Sequence, residues 1–283
     1  MEQSKLFKDY QERLMIILSF FDKLCRDNNI KYTVLDGTLL GTIRHHGMIP
    51  WDGDIDVALT PKEFEKLKKV FENYNGRYYL NYIPGHFYKK KGRIHNFPTI
   101  TAKIVDKQCN SDLYGIDVFT IDLLGDDKDQ ALHTVAKYKK YANWLRFTTS
   151  FHIPEAYGNS ISFKRILAIT FFPIYYIFSR LMKPIVESAY IKFRETYIDN
   201  NSEDSKYFTI QPYLRRFGVE ENTFLQGGYV DMPFGDIKVM VVKGYEVYLK
   251  GTYGNYMELP PEGKRTPYPS EELLLECKFE EDC

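Results

Sequence analysis

The sequence predicts an α+β fold in which a mixed sheet forms the core and helices flank it. Helical and strand patterns alternate over residues 6–124, and acidic residues stand in or at the ends of the predicted strands. A chain of 283 residues, 44% apolar and 27% charged, is long enough to bury the core of one domain with a large insertion. We predict one domain over residues 1–270, with a helical, apolar insertion at about 128–200, and an acidic C-terminal tail at 271–283.

Charge and cysteine content argue against several classes of protein. The chain has 38 basic and 38 acidic residues, whereas a dedicated nucleic-acid-binding domain carries a basic excess, so we predict no nucleic-acid partner. The four cysteines show no CxxC spacing, which argues against a zinc site or a disulfide framework and favours a reducing cytoplasm. The N-terminal stretch MEQSKLFKDYQERL is polar and lacks the apolar core of a signal peptide, so we expect a cytoplasmic protein.

The first predicted elements are a helix, a strand and a second helix. Residues 6–25 carry apolar side chains at helical spacing, which predicts an amphipathic helix. The stretch KYTVLD, residues 31–36, is typical of a buried strand. GTLLGTIRHHG, residues 37–47, predicts a short helix that begins at Gly37 and Thr38.

A second strand and a third helix follow. DIDVAL, residues 54–59, alternates acidic and apolar residues, which is the period of a strand with two different faces. Thr60, Pro61 and Glu63 then predict the start of a helix, with an N-cap, a proline at the first position and a capping box. TITAKIVD (99–106) and YGIDVFTIDLL (114–124) predict two more strands, and a helical stretch runs from about Lys128 to Phe147.

An uncharged apolar run, ILAITFFPIYYIFS, occupies residues 166–179. It is too short to span a bilayer, and Pro173 interrupts it. Two interpretations stay open: a helix buried in the core, and an interfacial segment that contacts the inner face of the cell membrane peripherally. Basic residues flank the run, namely Lys164, Arg165, Arg180 and Lys183.

Carboxylates in two predicted strands indicate a metal site. Asp54 and Asp56 are two residues apart on one strand and therefore point to the same face, where they can share Mg²⁺ or Mn²⁺. Asp117 lies in an apolar strand, where an acid is costly unless it is paired or bound to metal. We predict Asp117 as third ligand or general base, with Asp122 as second choice.

The neighbouring segments offer groups that bind phosphate. Gly37 and Thr38 stand at a helix N-terminus, whose free N–H groups and positive dipole end attract an anion. Arg44, Lys103 and Arg265 are candidates for further phosphate contacts, and a solvated surface position is the alternative for each.

Three other side chains near this segment are weaker candidates. We expect a functional role less for His45 and His46 than for the three cationic residues above, since histidines beside a loop are often only hydrogen-bonded. Asp52 either supports the metal ligands or anchors its loop, a common role for Asp in turns.

The order of these features is that of the nucleotidyltransferase fold of the polymerase-β type: strand, Gly-Thr, helix, loop, Asp-x-Asp strand and a later Asp strand. The stretch DGTLLGTIRHHGMIPWDGDIDV resembles the signature of the LicD family, which includes bacterial phosphocholine transferases and fukutin-related enzymes. KGYEVYLKGTYGNYMELPPEGKR, residues 243–265, resembles the closing motif of that family. The resemblance extends over about residues 25–266.

The resemblance implies a metal-dependent transferase that moves a phospho-alcohol group from a CDP-activated donor, such as CDP-choline, to a hydroxyl of a cell-surface glycan or lipid-linked glycan. Choline, ethanolamine, glycerol and ribitol are all open as the alcohol. Asp54, Asp56 and Asp117 would hold the Mg²⁺ or Mn²⁺ ion. An aromatic site for a quaternary ammonium is a further option, formed by Trp51, Tyr245, Tyr248, Tyr253 and Tyr256.

Two departures from the family pattern stand out. Many bacterial members have an acid between the positions of Asp52 and Asp54, where this chain has Gly53. The sequence KRTPYP also lacks the histidine that often follows the final Lys-Arg pair, so any role for that histidine is in doubt. Because Asp54 and Asp56 are present, the resemblance still implies metal binding.

Three other functions compete with this one. A small-molecule nucleotidyltransferase of the same fold would attack the α phosphorus and release pyrophosphate. A glycosyltransferase that uses Asp-x-Asp with a sugar nucleotide is disfavoured, since its nucleotide-binding half usually precedes that motif. A non-catalytic scaffold of the same fold is the third, and Gly53 gives it some support.

Overall fold

The computed structural model describes residues 4–82, 102–149, 163–197, 202–210 and 219–277. Helices in these ranges are α1 (Lys5–Asp27), α2 (Asp36–Arg44), α3 (Pro61–Glu72), α4 (Lys128–Thr149), α5 (Phe163–Tyr197), α6 (Tyr245–Tyr253) and α7 (Glu271–Leu275). Strands are β1 (Thr33–Val34), β2 (Asp56–Leu59), β3 (Tyr78–Asn81), β4 (Ala102–Asp106), β5 (Gly115–Leu123), β6 (Tyr207–Ile210), β7 (Glu220–Glu221), β8 (Tyr229–Phe234) and β9 (Ile237–Val242).

The main sheet is mixed, in the order β1-β2-β5-β4-β3, so the predicted α+β class is confirmed. Strands β2 and β5 run parallel, while β1–β2, β5–β4 and β4–β3 are antiparallel pairs. β6 pairs with the end of β5 and β7 pairs with β6. Strands β8 and β9 form a separate antiparallel hairpin. It contacts β1 of the main sheet through the Val242 N–H, which donates to Thr33 Oγ1 at 3.2 Å.

Helix α1 forms where the apolar spacing predicted it, and its apolar stripe lies in the core. Its fully buried positions recur every three or four residues, at Phe7, Tyr10, Leu14, Ile17, Leu18, Phe21 and Cys25. The Ser4 side chain caps the helix by accepting from the Phe7 N–H. The opposite end of the helix is tied to β8 by Arg26, which forms an ion pair with Asp231.

The start of α3 differs from the predicted capping box. Thr60 is the N-cap and Pro61 the first residue, but the Thr60 side chain makes no capping hydrogen bond. Glu63 is buried and accepts instead from the Lys31 N–H at 2.9 Å, just before β1. The capping-box prediction was wrong because a backbone amide distant in sequence competes for the Glu63 carboxylate.

The predicted helical insertion consists of α4 and α5, which pack against each other around a small core of their own. That core contains Tyr138, Leu145, Val186, Tyr190 and Phe193. The Tyr190 hydroxyl donates to the Tyr138 hydroxyl at 3.2 Å in its centre. We call this pair of helices the helical hairpin.

The apolar run at 166–179 is helical, and its described side chains point largely to solvent. Ile174 is 66% exposed, Ile177 59% and Phe178 46%, while Ser179 faces the interior. For these residues the buried-core interpretation was wrong, because α5 uses a different face to pack on α4. Among the described residues, the structure holds no helix that is long and apolar enough to cross a membrane.

The predicted acidic tail begins with a packed helix. Ser270 caps α7 by accepting from the Leu273 N–H, and Leu274 is only 2% exposed where α7 packs on α1. The first residues of the predicted tail thus form a surface helix that is attached through Leu274, and the boundary at residue 270 stays a prediction. Residues 278–283 lie outside the described residues.

Candidate active site

Three predicted site residues form a row across adjacent strands. Asp56 of β2 is the register partner of Asp117 of β5, and Asp117 is the partner of Lys103 of β4. Register partners on neighbouring strands share a face of the sheet, so the three side chains emerge side by side. Lys103 Nζ lies 3.2 Å from Asp117 Oδ2.

Further carboxylates surround the Asp56 end of this row. Asp56 is only 5% exposed, and burial and then Asp54 and Asp117 raise its pKa well above the ordinary value. Burial and the neighbouring Asp54 also raise the pKa of Asp52, to about 8. We call Asp36, Asp52, Asp54, Asp56 and Asp117 the carboxylate cluster.

Lys103 provides positive charge beside the carboxylate cluster. Burial alone would lower its pKa, but the Asp117 carboxylate outweighs burial and the pKa of Lys103 lies above the ordinary value. Lys103 is therefore charged at neutral pH and is held against Asp117.

Asp54, Asp56 and Asp117 are the residues predicted to hold Mg²⁺ or Mn²⁺. All three residues offer carboxylate oxygens, the donor type that these ions prefer. A carboxyl group buried as deeply as Asp56 beside other acids is either protonated, as its raised pKa indicates, or neutralised by a cation. Within the described residues no three His, Cys, Asp or Glu side chains are placed so that they could hold a metal ion, so metal binding by these residues stays a prediction from their donor chemistry.

Gly37 and Thr38, predicted as phosphate contacts, make contacts that shape the carboxylate cluster. Thr38 Oγ1 accepts from the Asp56 N–H at 2.9 Å and so fixes the first residue of β2. A Cβ at position 37 would overlap Asp52 Oδ2, so only glycine leaves room for that carboxylate. These contacts position the acids, and the phosphate role of both residues stays a prediction.

Asp36 is a site residue that sequence reasoning missed. Its φ is 43°, in the left-handed region that non-glycine residues rarely adopt, and its side chain is buried. The Tyr248 hydroxyl of α6 donates to Asp36 Oδ1 at 2.6 Å. The sequence does show an acidic residue between the predicted apolar strand and Gly37. Its hydrogen-bond partner, Tyr248, lies 212 residues later in the chain, so no local pattern indicates the pair.

Arg44 and Arg265 hold the segment that follows α6. Arg44 Nη1 donates to the carbonyls of Tyr256 (2.9 Å) and Glu258 (3.0 Å). Arg265 Nε donates to the Pro260 carbonyl at 2.7 Å. The structure thus brings the two arginines to one loop, residues 256–260.

Trp51 and the neighbouring histidine contact these arginines. The Arg265 guanidinium lies over the Trp51 ring at 5.6 Å from its centroid, and the His45 ring meets Trp51 edge-on. Burial, and then the charge of Arg44, lower the pKa of His45. A cation already stacks on Trp51, and Tyr248 is buried against Asp36, so this arrangement does not favour the predicted quaternary-ammonium site.

Asp122, the second choice for a metal ligand, has another role. It is fully buried and accepts two hydrogen bonds from Arg194 of α5, at 2.8 Å and 3.0 Å. This ion pair joins β5 to the helical hairpin. The alternative assignment was wrong because Asp122 is already neutralised by a side chain 72 residues away.

Gly53, the departure from the family pattern, is explained by the C-terminal segment. A Cβ at position 53 would overlap the Tyr268 carbonyl and lie 2.7 Å from Pro269 Cδ. On the other side, the Tyr10 hydroxyl donates to the Gly53 carbonyl at 2.6 Å, and Gln11 Nε2 donates to the Asp52 carbonyl at 2.6 Å. Glycine therefore lets α1 and the C-terminal segment clamp this loop from two sides.

Replacing Gly53 by Ala is expected to destabilise the protein by about 1–3 kcal/mol, since the new methyl group forces the Tyr268 backbone away. Gly251→Ala is the matched control, because a Cβ there meets nothing within 4 Å. Urea unfolding of both variants measures the difference. Equal stabilities would contradict the clamp.

Cys109, in the β4–β5 connection, and Cys277, two residues after the end of α7, form a pair of thiols. A hydrogen bond from Cys109 lowers the pKa of Cys277 to about 7. Cys25 is fully buried, and burial raises its pKa. No local pattern predicts this pair, since the two cysteines are 168 positions apart.

Alkylation of Cys277 by iodoacetamide is expected to increase about tenfold per pH unit up to pH 7 and to level off above it, because the thiolate is the nucleophile. Timed alkylation between pH 5.5 and 9, with peptide mass spectrometry, measures this profile. Cys109→Ala is expected to move the midpoint upward. A wild-type midpoint near the ordinary thiol pKa of about 8.5 would refute the assignment.

The candidate site lies in a part of the chain that matches a family of known proteins. Residues 29–163 match the family profile described as LicD/FKTN/FKRP, nucleotidyltransferase domain. This range contains the whole carboxylate cluster and Lys103, and it confirms the nucleotidyltransferase type of fold predicted from the order of elements. Arg265 and the C-terminal segment lie outside it.

Three curated proteins align with the chain. The lipopolysaccharide cholinephosphotransferase LicD of Haemophilus influenzae is 24% identical over 272 residues, which cover 92% of this chain and 94% of that protein. An uncharacterised protein of Rickettsia prowazekii is 32% identical over 92 residues, or 32% of this chain and 33% of that protein. Another of Rickettsia typhi is 38% identical over 64 residues, or 22% and 21%. The signature motif and the profile match make residues 29–163 similar to the nucleotidyltransferase domain of the LicD family, and the similarity to the Haemophilus protein extends over most of both chains.

Proposed function

We propose that this LicD-type transferase moves a phospho-alcohol group, such as phosphocholine, from a CDP-activated donor to a hydroxyl of a cell-surface glycan or glycolipid precursor and releases CMP. The observation that carries the proposal is the row of Asp56, Asp117 and Lys103 across three strands, inside the matched family domain. The reaction class is supported by the Haemophilus relative, a lipopolysaccharide cholinephosphotransferase that aligns with 92% of this chain.

In the proposed site Asp54, Asp56 and Asp117 hold Mg²⁺ or Mn²⁺. When bound, the ion supplies neutralisation of the charge on the donor phosphates. Lys103 keeps the Asp117 carboxylate in place and adds positive charge beside it. Other proposed phosphate contacts are the N-terminus of α2, at Gly37 and Thr38, and the side chains of Arg44 and Arg265.

The proposed reaction makes one bond and breaks one. The acceptor oxygen forms a bond to the distal phosphorus of the donor, while the bond from that phosphorus to the CMP oxygen breaks. The hydroxyl proton passes to a carboxylate, and Asp117 is the candidate because its side chain is 22% exposed whereas Asp56 is buried. We place the reaction at the inner face of the cell membrane, where a lipid-linked glycan acceptor would be met.

A donor screen tests the proposal. The protein is incubated with Mg²⁺ or Mn²⁺ and, separately, with CDP-choline, CDP-ethanolamine, CDP-glycerol, CDP-ribitol, CTP and UDP-sugars, and nucleotide release is followed by chromatography. We expect slow release of CMP from one CDP-alcohol, and loss of that release in Asp56→Asn. Asp129→Asn, an exposed carboxylate in the first turn of α4, is the matched control.

The other outcomes separate the alternatives. Release of pyrophosphate from CTP would replace the proposal by an ordinary nucleotidyltransferase. If no nucleotide is released and calorimetry detects no Mn²⁺ binding, a non-catalytic scaffold would be favoured. If Mn²⁺ binds without release, the same panel is repeated with a lipid-linked glycan acceptor, and silence there would refute the proposed reaction.

A further inference from the structure

Helix α5 carries an apolar stripe that faces away from the rest of the protein. Ile174, Ile177, Leu181 and Ile185 are 66%, 59%, 67% and 60% exposed. Their spacing of three and four residues puts them on one side of the helix. Exposed aliphatic side chains are ordinary when scattered, but four in a continuous line indicate an interaction surface. We call these four residues the α5 stripe.

The same helix already buries a different face within the protein. Val186, Tyr190 and Phe193 pack on α4, and Ser179 is fully buried. These positions lie roughly 130° around the helix from the α5 stripe, given about 100° per residue. The stripe is therefore an additional apolar surface beyond the one that attaches α5 to the fold.

The helical hairpin and the remainder of the chain carry net charges of opposite sign. The sequences of α4 and α5 contain eleven Lys and Arg and three Asp and Glu, a formal net charge of +8. The whole chain has a net charge of zero, so everything outside these two helices carries −8. Such an asymmetry within one chain indicates a partner with negative charge at the hairpin.

An apolar helix face accompanied by many basic residues is typical of a segment that lies in the interface of an anionic bilayer. If a second copy of the chain docked through the same face, two helical hairpins of charge +8 would come together, and their electrostatic repulsion would disfavour the dimer. We infer that the α5 stripe and the basic helical hairpin bind the surface of an anionic membrane. This inference deepens the proposed function, since a membrane-bound enzyme meets a lipid-linked acceptor in two dimensions.

The connection between the hairpin and the active site is short and rigid. Arg194 of α5 binds Asp122 of β5, and Asp117 lies five residues earlier on the same strand. Five residues of strand span roughly 17 Å. A helix seated on the membrane therefore fixes the orientation of the strand that carries Asp117.

Vesicle sedimentation with the full chain tests the inference. Vesicles of pure phosphatidylcholine are compared with vesicles containing about 30% phosphatidylglycerol, at low and at high salt. The test variant is Ile177→Glu with Leu181→Glu. The matched control is Ile16→Glu with Leu275→Glu, two exposed apolar residues of α1 and α7 outside the hairpin.

We expect binding to the anionic vesicles at least tenfold stronger than to the neutral ones, and weaker at high salt. The Ile177→Glu/Leu181→Glu variant should lose at least tenfold in binding, and the control variant should bind as the wild type does. Release of CMP from the soluble donor is expected to be unchanged in both variants. Vesicle binding without CMP release would leave this inference standing and count against the proposed reaction alone.

Three results would overturn the inference. The first is wild-type protein that sediments with neither kind of vesicle. The second is equal loss of binding in both double variants. The third is a dimer in light scattering that Ile177→Glu/Leu181→Glu dissociates without any vesicle binding, which would assign the α5 stripe to a second copy of the chain.

Discussion

Replacing Asp56 by Asn is expected to lower the transfer rate by about 10³-fold or more while the protein stays folded, a loss of about 4 kcal/mol of transition-state stabilisation. Asp56 is buried at the centre of the carboxylate cluster and is the register partner of Asp117. Asn keeps the shape of the side chain and removes its charge. The backbone N–H of residue 56 still donates to Thr38 Oγ1, so β2 keeps its start.

The same substitution is expected to leave the melting temperature unchanged or to raise it. Removing one of several adjacent buried carboxylates relieves repulsion, so activity and stability should move in opposite directions. Transfer assays, Mn²⁺ titration by calorimetry and thermal unfolding measure the three effects. Asp129→Asn should change none of them. An Asp56→Asn protein with full activity, or one that loses activity only because it unfolds, would contradict this account of the site.

Arg194→Ala is expected to destabilise the protein by about 3–5 kcal/mol, because it leaves the Asp122 carboxylate buried without its cationic partner. The pair is bidentate, and Asp122 is fully buried. The ion pair also joins β5 to the helical hairpin, so its loss weakens the attachment of the small core between α4 and α5 to the main core.

Urea unfolding of Arg194→Ala measures this effect. Lys23→Ala is the comparison, since Lys23 forms an exposed i,i+4 pair with Asp27 on α1 and should change stability by no more than about 0.5 kcal/mol. If Arg194→Ala cost no more than Lys23→Ala, the Asp122 ion pair would contribute little to folding. In that case the attachment of the hairpin would depend on its apolar contacts alone.

Local patterns in the sequence were enough to predict which elements carry Asp56 and Asp117. Asp56 could be placed because a strand pattern predicts β2, and Asp117 because an acid inside an apolar strand needs a partner. β2 begins at Asp56 and the exposed Asp54 lies just before it, so the shared strand face of Asp54 and Asp56 stays a prediction. The helix boundaries at Pro61 and Lys128 follow from equally local rules. In each case the information lies within about ten residues.

The features that sequence reasoning missed depend on partners far along the chain. Asp122 is paired with Arg194, Glu63 accepts from Lys31, and neither partner is marked by spacing or composition. The need for glycine at position 53 arises from a backbone carbonyl 215 positions later. Such contacts are set by how the sheet and helices are brought together, which no local pattern encodes.

The closure of Tyr268 and Pro269 over Gly53 has a consequence for synthesis on the ribosome. At about 5–20 residues per second, the segment that clamps the loop at Gly53 is made roughly 10–40 s after the loop itself. During that interval β5 is made and can pair with β2, and the apolar stripe of α1 can become buried. The side of the loop that Tyr268 and Pro269 will cover has no partner until they are made. We therefore expect the loop at Gly53 to be clamped from both sides only after Tyr268 and Pro269 have left the ribosome.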